Sequence, residues 1–369
     1  MRVLHLLGNR EDTGGILSVV RSIQNATRGA CEHVVLVHEE YLEKRLPKLD
    51  YRRSPHATDE EASHGRLLKQ AIKSFTGLRR LLKVEPFDVI HGHTRGAFPL
   101  VLMMAATGHR RCVFTSHTYA NRVGMYRTAS RWKRIRWVFL TPTMAQHYGV
   151  QAASGGVELV SACCSDTYFS SPTRPVDQVS SDRPVRLVGL GNIVQWKRWD
   201  ILLDAMFRLS PDLQARLRCT VYGPTTSDAP AQKYAADLRR KIEESGLGER
   251  FRLPGPTSDV AGVLAESDWY MVLSRNEPCS VALIEALAGG MPALVSASGG
   301  NLDIVKNGAT GIHFRTDDVD DLASALKRIA NGDYSLESPS GIRESVRGRS
   351  ASAVSREYLR IYREVISSQ

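Results

Sequence analysis

Cysteines are few in this sequence, and long apolar runs are absent from it. The six cysteines are scattered over 369 residues with no CxxC pair, which argues against a disulfide framework or a zinc module and favours reduced thiols. The longest apolar run, AFPLVLMMAATG from Ala97, is too short to cross a bilayer. The apolar stretch before Gly8 is too short for a secretory signal. We therefore expect a cytoplasmic protein that is not integral to a membrane.

Acidic residues are missing from one long stretch of the chain. Residues 101–150 carry eight Lys and Arg and no Asp or Glu. Residues 1–180 hold 25 basic against 15 acidic side chains, whereas the remainder is balanced at 24 against 24, so the net charge of +10 belongs to the first half. This asymmetry indicates either a solvated basic face or attraction to an anionic partner: a phosphorylated acceptor, an anionic lipid or nucleic acid.

Short β-rich apolar runs alternate with amphipathic stretches of helical length. Runs such as HVVLVH (33–38) and DWYMVLS (268–274) are continuously apolar, which is typical of parallel strands covered on both faces. The chain is also long for a single core. We predict an α/β fold of two Rossmann-like, doubly wound domains facing a central cleft. The predicted boundaries are an N-terminal domain at 1–172, a linker at 173–184, a C-terminal domain at 185–348, and a helix at 349–369. Because this helix carries one apolar stripe, comprising Val354, Tyr358, Ile361, Tyr362 and Val365, we expect it to pack back on the N-terminal domain.

Two glycine motifs are candidates for binding phosphate. Gly14 and Gly15 follow the first predicted strand at a helix start, where exposed backbone N–H groups suit a phosphate. Gly189 and Gly191 form the G-x-G of LVGLGNIVQW, but Val194 occupies the third glycine position, and no acid follows at the usual distance. The second motif therefore does not indicate a nicotinamide dehydrogenase.

Three histidines lie at predicted strand ends. His91 and His93 share one face in HGH, a geometry that suits a metal. The sequence shows no third ligand beside them, so we interpret them as packed histidines at a cleft edge and predict no metal site. His117 in TSHTY is, on the residues alone, either a hydrogen-bonded strand-end histidine or part of a binding site.

Two glutamates flank the start of a predicted helix in SRNEPCSVALIEALAGGMP (274–292). Glu277 lies in the loop beyond a strand, and Glu285 lies nearly two turns into a helix expected from about Cys279 to Ala288, among apolar neighbours. A carboxylate in such surroundings needs partners, and vicinal hydroxyls suit it because one carboxylate accepts hydrogen bonds from both. The pattern favours a site that holds ribose at one end and a sugar at the other.

The E-x7-E pattern followed by ALAGGMP resembles the signature of retaining GT-B glycosyltransferases of family 4, the glycosyl transferases group 1. Further segments match that family's pattern in order: TGGILSVV, DVIHGH, TSHTY, LVGLGNIVQWKRWDILLDA, FRLPGP and SGGNLDIVKNGATGIHF. The resemblance covers most of the chain. It implies the GT-B fold and transfer of a sugar from a nucleotide diphosphate sugar, expected to be a UDP-sugar, to an acceptor hydroxyl, with retention of anomeric configuration.

The resemblance also implies roles for individual residues of the second domain. Glu285 would bind the ribose hydroxyls, Glu277 would orient the donor sugar, and Lys197 would neutralise the leaving diphosphate. The backbone N–H groups around Cys279, Ser280 and Val281 would reach the sugar and the diphosphate.

In the first domain, which the resemblance makes the acceptor-binding domain, Gly14 and Gly15 would let the backbone approach the phosphates. His117 would touch the transferred sugar near the reacting carbon. The family needs no cofactor or metal, which agrees with the absence of a D-x-D sequence in a suitable loop, and the leaving diphosphate is thought to help deprotonate the acceptor.

One departure from the family pattern concerns the leaving group. Asn192 stands five residues before Lys197, where the family usually has an arginine, so one cation is missing where charge develops. Arg198 is the candidate substitute. The loop residues PCS after Glu277 and the segment SACCSD (161–166) also differ, so sugar preference and acceptor side do not transfer.

The leading hypothesis is a retaining glycosyltransferase of polysaccharide or glycolipid assembly. Its basic N-terminal domain would meet a phosphorylated or lipid-linked acceptor, with RTASRWKRIRW (127–137) as an interfacial segment at the inner face of the membrane. One alternative is a nucleotide-sugar-binding protein without turnover, which the missing cation at Asn192 favours. The other is a sugar-nucleotide epimerase. A nucleic-acid partner is not expected, because it gives Glu277 and Glu285 no role.

Overall fold

The computed structural model describes residues 1–8, 10, 15–43, 50–55, 64–109, 111–120, 122–151, 156–170 and 183–368. The chain divides into two units, of which the first comprises Met1–Cys163 with Ala351–Gln369 and the second comprises Cys164–Ser350. Most of the predicted linker at 173–184 lies outside the described residues, and the predicted domain boundaries stay a prediction.

Parallel strands form one sheet in each unit. The strands are β1 Arg2–Leu6, β2 Glu32–His38, β3 Arg52–Ser54, β4 Val89–Gly92, β5 Cys112–Ser116, β6 Ile135–Phe139, β7 Val157–Leu159, β8 Val185–Leu190, β9 Leu217–Tyr222, β10 Phe251–Gly255, β11 Trp269–Val272, β12 Ala293–Ser296 and β13 Gly311–Phe314. Within the described residues, the first sheet has the order β3-β2-β1-β4-β5-β6-β7 and the second β10-β9-β8-β11-β12-β13.

Helices connect nearly all successive strands. They are α1 Ile16–Ala26, α2 His64–Val84, α3 Ala97–Ala106, α4 Val123–Ser130, α5 Pro142–His147, α6 Thr167–Ser170, α7 Trp199–Phe207, α8 Pro211–Ala215, α9 Ala229–Glu244, α10 Val260–Ala265, α11 Val281–Ala288, α12 Asn301–Ile304, α13 Val319–Asn331, α14 Pro339–Ser345 and α15 Ala351–Ser367. Since a parallel pair needs such a crossover, the alternation seen in the sequence gives the doubly wound architecture.

The central strands are buried along their length. All residues of β5, β11 and β12 are buried, because helices cover both faces of each sheet and leave no solvent side. The core of the second unit gathers the aromatic side chains of Trp199, Phe251, Trp269 and Phe314. This core fixes the carboxyl ends of the strands, where the second unit's candidate site lies.

The C-terminal helix α15 belongs to the first unit and contacts α1 and β4. Its predicted apolar stripe is buried, comprising Val354, Tyr358, Ile361, Tyr362 and Val365. The prediction that this helix packs back on the N-terminal domain is therefore confirmed.

Candidate functional site

Glu277 lies in the loop between β11 and α11, and its side chain is only 8% exposed. Its Oε2 accepts a hydrogen bond from Lys197 Nζ at 2.7 Å, and the Lys197 side chain is 13% exposed. Lys197 ends the short 3₁₀ turn after β8, and its Nζ lies 4.4 Å from the centre of the Trp196 ring. Two residues 80 positions apart thus form a largely buried ion pair at the carboxyl ends of neighbouring strands.

The backbone around Glu277 is held by the loop that follows β12. The Glu277 carbonyl accepts a hydrogen bond from Gly300 N at 2.7 Å, and the Asn276 N–H donates to Ser298 Oγ at 3.1 Å. A Cβ at Gly299, where φ is +56°, would lie 2.5 Å from the Glu277 carbonyl oxygen, so only glycine fits there. The resulting close packing fixes the backbone at Glu277.

The amino terminus of α11 follows directly. The Ser280 side chain accepts a hydrogen bond from Leu283 N at 3.2 Å and caps the helix. The first turn of α11 has no acidic residue, so the positive end of the helix dipole stays uncompensated by the helix itself. The helix starts at Val281, two residues after the predicted start at Cys279, because Ser280 takes the capping position.

Glu285 lies one turn into α11 on a half-exposed stripe that it shares with Val281, Ala282 and Gly289. The buried side chains of α11 occupy the opposite side of the helix: Leu283, Ile284, Ala286, Leu287 and Ala288. Of the apolar side chains expected around Glu285, Val281 does lie beside it, whereas Leu283, Ile284 and Leu287 lie on the buried side of the helix.

Tyr270 is a site residue that sequence reasoning missed. Burial raises the pKa of its phenol above the ordinary value, and the carboxylates of Glu277 and Glu285 raise it further. The neutral hydroxyl donates to the Leu190 carbonyl at 3.3 Å. Both glutamates therefore act on one buried phenol, that of the second residue of β11. No sequence signal marked it, since Tyr270 reads as an ordinary strand residue.

Arg198 has left-handed backbone (φ +57°), and its guanidinium is engaged by carboxylates. Its Nε lies 3.2 Å from Asp200 Oδ1, and its Nη1 contacts Asp317. Although burial opposes it, the carboxylates of Asp200 and Asp317 hold the pKa of Arg198 above its ordinary value. Since Tyr234 also donates to Asp200 at 2.8 Å, Arg198 would have to leave an existing network to serve a leaving group.

The remaining predicted donor-binding residues are Asn192 and Cys279 of the second unit and Gly14 and Gly15 of the first. Asn192 is half-buried, and its carbonyl accepts a hydrogen bond from Trp199 Nε1 at 3.1 Å. Cys279 is buried, with Arg349 Nη1 3.9 Å from its sulfur. In the first unit, Gly15 is exposed and precedes α1 without side-chain capping, whereas Gly14 lies outside the described residues.

His117 directly follows β5 and is 8% exposed. Its Nε2 lies 3.1 Å from Nδ1 of His93. Burial lowers the pKa of His117 to about 3 and the pKa values of His91 and His93 well below the ordinary range, so all three rings are neutral at pH 7.

The expectation that no third ligand stands beside His91 and His93 was wrong. His5 from β1 joins them, and one ring nitrogen of each lies within 4.8 Å of the others. The sheet order places β1 next to β4 and pairs His5 with His91, which no local motif indicates.

The segment RTASRWKRIRW, predicted to be an interfacial element, offers only part of its aromatic and basic side chains for such a contact. Helix α4 ends at Ser130 and β6 begins at Ile135, so the segment is not one amphipathic helix. Trp137 is fully buried, and Arg136 Nη1 lies 3.0 Å from Glu158 Oε1. The aromatic and basic side chains that looked membrane-facing are partly used inside the first unit.

Models of two glycosyltransferase families match the chain in succession. The family described as Glycosyltransferase Family 4 matches residues 13–154, and the family described as Glycosyl transferases group 1 matches residues 173–347. The chain belongs to the family 4, or group 1, glycosyltransferases.

Curated relatives of this family 4 member act on different substrates, by their names. This chain is 30% identical over 187 residues to D-inositol 3-phosphate glycosyltransferase of Nocardioides sp., and the match covers 48% of this chain and 41% of that protein. It is 24% identical over 284 residues to 2-deoxystreptamine N-acetyl-D-glucosaminyltransferase of Niallia circulans, covering 69% and 70%. The chain spans only 25–44% of the length of the first four such relatives.

Solved structures share the whole architecture. Sucrose-phosphate synthase of Thermosynechococcus elongatus superposes with a TM-score of 0.78 at 15% identity, covering 100% of both chains. The Anabaena protein HepE, in complex with UDP and glucose, gives 0.71 at 16% identity, again over 100% of both chains. The predicted α/β fold with two Rossmann-like domains of the GT-B class is confirmed. No helix in the described part of this family 4 chain is long and apolar enough to span a bilayer.

Proposed function

We propose that this protein transfers a sugar from a nucleotide diphosphate sugar, specifically a UDP-sugar, to an acceptor hydroxyl, with retention and without a metal. The observation that carries the proposal is the buried Lys197–Glu277 ion pair beside the acid-free amino terminus of α11. The HepE structures, which are complexes with UDP and glucose and with UDP-glucose, support the donor class.

The Lys197–Glu277 ion pair compensates two buried charges, and donor binding would give each of them a new partner. Each charge satisfies the other while both side chains are mostly buried, and leaving either unpaired would be costly. A bound diphosphate supplies Lys197 with a new anionic partner, and the sugar hydroxyls supply Glu277 with hydrogen-bond donors. The donor therefore replaces both halves of the pair at once.

The leaving group develops negative charge as the glycosidic bond breaks. Lys197 and the N–H groups of Cys279, Ser280 and Val281 at the start of α11 stabilise that charge. The departing diphosphate takes the proton of the acceptor hydroxyl on the same face of the sugar, which requires no protein base. Among the remaining assigned residues, Glu285 holds the ribose, His117 holds the transferred sugar, and Gly14 and Gly15 admit the phosphates.

A thermal-shift panel of UDP, GDP, ADP and CDP tests the donor site. UDP is expected to stabilise the protein by about 2.7 kcal/mol at a hundredfold excess over its Kd, and EDTA should leave that shift unchanged. Loss of the shift in EDTA would refute metal independence. A larger shift with another nucleotide would refute the UDP assignment, and no shift with any of them would refute the donor site.

Replacing Glu285 with alanine should weaken UDP binding by about 1–3 kcal/mol, because a carboxylate hydrogen-bonded to the ribose hydroxyls is lost. Isothermal titration calorimetry measures the change. Glu244→Ala removes an exposed glutamate from α9 and serves as the matched control with unchanged affinity. Equal affinities for both variants would show that Glu285 does not bind the ribose.

A nucleotide-sugar-binding protein without turnover is the second candidate. The position of Asn192 lacks a cation, and Arg198 is engaged by Asp200 and Asp317, so the leaving group would have Lys197 as its principal side-chain cation. Nucleotide binding without release of UDP from any UDP-sugar, in the presence of a broad set of acceptor sugars and lipids, would favour this candidate over the enzyme.

Polysaccharide or glycolipid assembly would bring the enzyme to a membrane surface, and α2 is the element suited to that contact. It carries six basic residues and no acidic residue within its 21 positions. Leu68 and Ile72 are 55% and 57% exposed on it and, four residues apart, lie on one face. A cationic helix with exposed apolar side chains favours anionic lipid.

Sedimentation with vesicles of anionic phospholipid should therefore capture the protein, and capture should fall as salt rises from about 0.1 M to about 1 M, since the Debye length shortens from about 10 Å to about 3 Å. Leu68→Gln with Ile72→Gln should reduce capture. Phe207→Gln removes a side chain of the second unit that is 53% exposed and should not. Capture that is independent of salt, or unaffected by the α2 variant, would contradict this contact.

A further inference from the structure

Four buried or half-buried histidines form a diagonal row across one face of the first sheet. The strands β2, β1, β4 and β5 are neighbours in that order. His33 lies in β2 and His5 in β1, whereas His93 and His117 directly follow β4 and β5. His33 pairs in register with Val3, His5 pairs with His91, and Gly92 pairs with Phe114. Each histidine of the row therefore lies about two residues further toward the carboxyl ends of the strands than the one before it, and all four share a face.

Consecutive rings of this histidine row are joined by hydrogen bonds. His33 Nδ1 lies 2.8 Å from His5 Nε2, His5 Nδ1 lies 2.8 Å from His93 Nε2, and His93 Nδ1 lies 3.1 Å from His117 Nε2. The far end of the row is closed by Thr27, whose Oγ1 lies 2.7 Å from His33 Nε2. Every contact joins an Nε2 to an Nδ1 or to a hydroxyl.

The hydroxyl at the closed end sets the direction of the whole row. Thr27 Oγ1 donates its single proton to the Ile23 carbonyl at 2.7 Å, so it accepts from His33, whose Nε2 must carry the hydrogen. A neutral His33 then accepts at Nδ1 from His5 Nε2–H. His5 in turn accepts at Nδ1 from His93 Nε2–H, and His93 accepts at Nδ1 from His117 Nε2–H.

Because every ring of the row is neutral, only one arrangement of protons satisfies all of its hydrogen bonds. Burial lowers the pKa of His33 to about 4 and that of His117 to about 3, and it lowers those of His5 and His93 well below the ordinary range. Each ring then holds one proton, at Nε2. The last ring, His117, is left with an unprotonated Nδ1, which has no hydrogen-bond partner among the described residues.

A metal at His5, His91 and His93 is the competing interpretation of the same cluster. All six ring nitrogens already have hydrogen-bond partners, since His91 contacts Tyr362 OH at 2.7 Å and Thr115 Oγ1 at 2.8 Å. A metal would take a nitrogen from each of these bonds. The continuous, consistently directed row favours proton ordering over metal binding.

We propose that His93, backed by His5 and His33, is a positioning residue that holds His117 in the Nε2–H tautomer and presents its Nδ1 as a hydrogen-bond acceptor. In the enzyme, Nδ1 then accepts from a hydroxyl of the transferred sugar. The assignment of the sugar rests on the proposed function, whereas the tautomer does not. His117 selects a donor that offers a hydroxyl proton, because a neutral Nδ1 accepts and cannot donate.

Histidine-selective ¹⁵N labelling of the full chain and long-range ¹⁵N–¹H NMR at pH 7 tests the tautomer directly. The four rings of the row should each show a protonated Nε2 and an unprotonated Nδ1. A His117 ring protonated at Nδ1, or at both nitrogens, would overturn the proposal, as would zinc that displaces the signals of His5, His91 and His93 together.

Two polar variants of His93 separate its two hydrogen bonds. In His93→Asn the amide lies near the former Nδ1 and keeps an acceptor for His117, whereas in His93→Gln it lies near the former Nε2 and keeps only the bond to His5. His93→Gln should leave His117 as a mixture of both tautomers, and His93→Asn should preserve the Nε2–H tautomer. His91→Gln, an equally buried histidine on the same strand, is the matched control without a bond to the row.

Steady-state kinetics tests whether the tautomer of His117 affects sugar transfer. His93→Gln should lower kcat/KM for the donor sugar by about tenfold, the equivalent of one hydrogen bond, with UDP affinity unchanged, and His93→Asn should recover most of it. Equal losses in His93→Gln, His93→Asn and His91→Gln would indicate a merely structural role and overturn the proposal. Absence of transfer by the wild-type protein would count against the proposed function, while the NMR result would still decide the tautomer.

Discussion

Glu277→Ala is expected to abolish sugar transfer, with a fall in kcat/KM of at least about 100-fold, the scale of losing one preorganised electrostatic group in an active site. The carboxylate is buried, aimed by the 2.7 Å bond to Lys197, and fixed through Gly299 and Gly300. In the proposed mechanism, its removal takes away the acceptor for the sugar hydroxyls. The donor then binds by its nucleotide without a fixed orientation of the reacting carbon, so kcat should fall more than UDP affinity.

Glu277→Gln separates charge from shape in the same position. It keeps the volume and one carbonyl acceptor but loses the ion pair, so its activity should lie between those of the wild type and Glu277→Ala. Circular dichroism should show both variants folded, and UDP should still shift their unfolding temperatures. Turnover unaffected by Glu277→Ala in a folded protein would remove Glu277 from the mechanism.

Lys197→Ala is expected to lower kcat by about 10²–10³-fold, because in the proposed mechanism Lys197 opposes the charge that develops on the departing diphosphate. The variant also leaves the Glu277 carboxylate buried without its cation, which destabilises the second unit. Lys197→Met keeps the aliphatic stem and removes the ammonium, together with its contact over the Trp196 ring, so it isolates the loss of charge. Steady-state kinetics with a UDP-sugar donor, alongside thermal unfolding, measures both effects.

A double-mutant cycle between positions 197 and 277 tests whether the pair acts as a unit. The effects of substituting directly bonded residues of one site on activity do not add. The double variant should therefore be only slightly less active than the less active of the two single variants. Arg198→Ala is the informative comparison. A loss as large as that of Lys197→Met would assign the leaving-group cation to Arg198, despite its bonds to Asp200 and Asp317.

The sequence alone predicted the parts of the fold that local pattern encodes. Fully buried parallel strands read as short apolar runs, and β2, β5 and β11 lie where such runs were found. The stripe from Val354 to Val365 indicated a helix that packs on a core, and α15 is that helix. The placement of Glu277 in a loop and Glu285 on the next helix also followed from local signals, because Gly289 and Pro292 end the helix.

The family resemblance brought together residues that local pattern leaves separate. It proposed Lys197 and Glu277 for one site, and the structure joins them at 2.7 Å. It carried no information about Tyr270, whose phenol lies near both glutamates, or about the carboxylates that engage Arg198. Those features depend on which side chains surround a residue after the core has formed.

Strand order and register decided the rest. The sequence presents His5, His33, His93 and His117 as four unrelated histidines, but the order β2-β1-β4-β5 and its register make them one hydrogen-bonded row. The same tertiary packing buries Trp137, which composition alone assigned to a membrane surface. Periodicity reports which residues are apolar along one segment, whereas only the pairing of distant segments determines which polar groups meet, and hence where a proton resides.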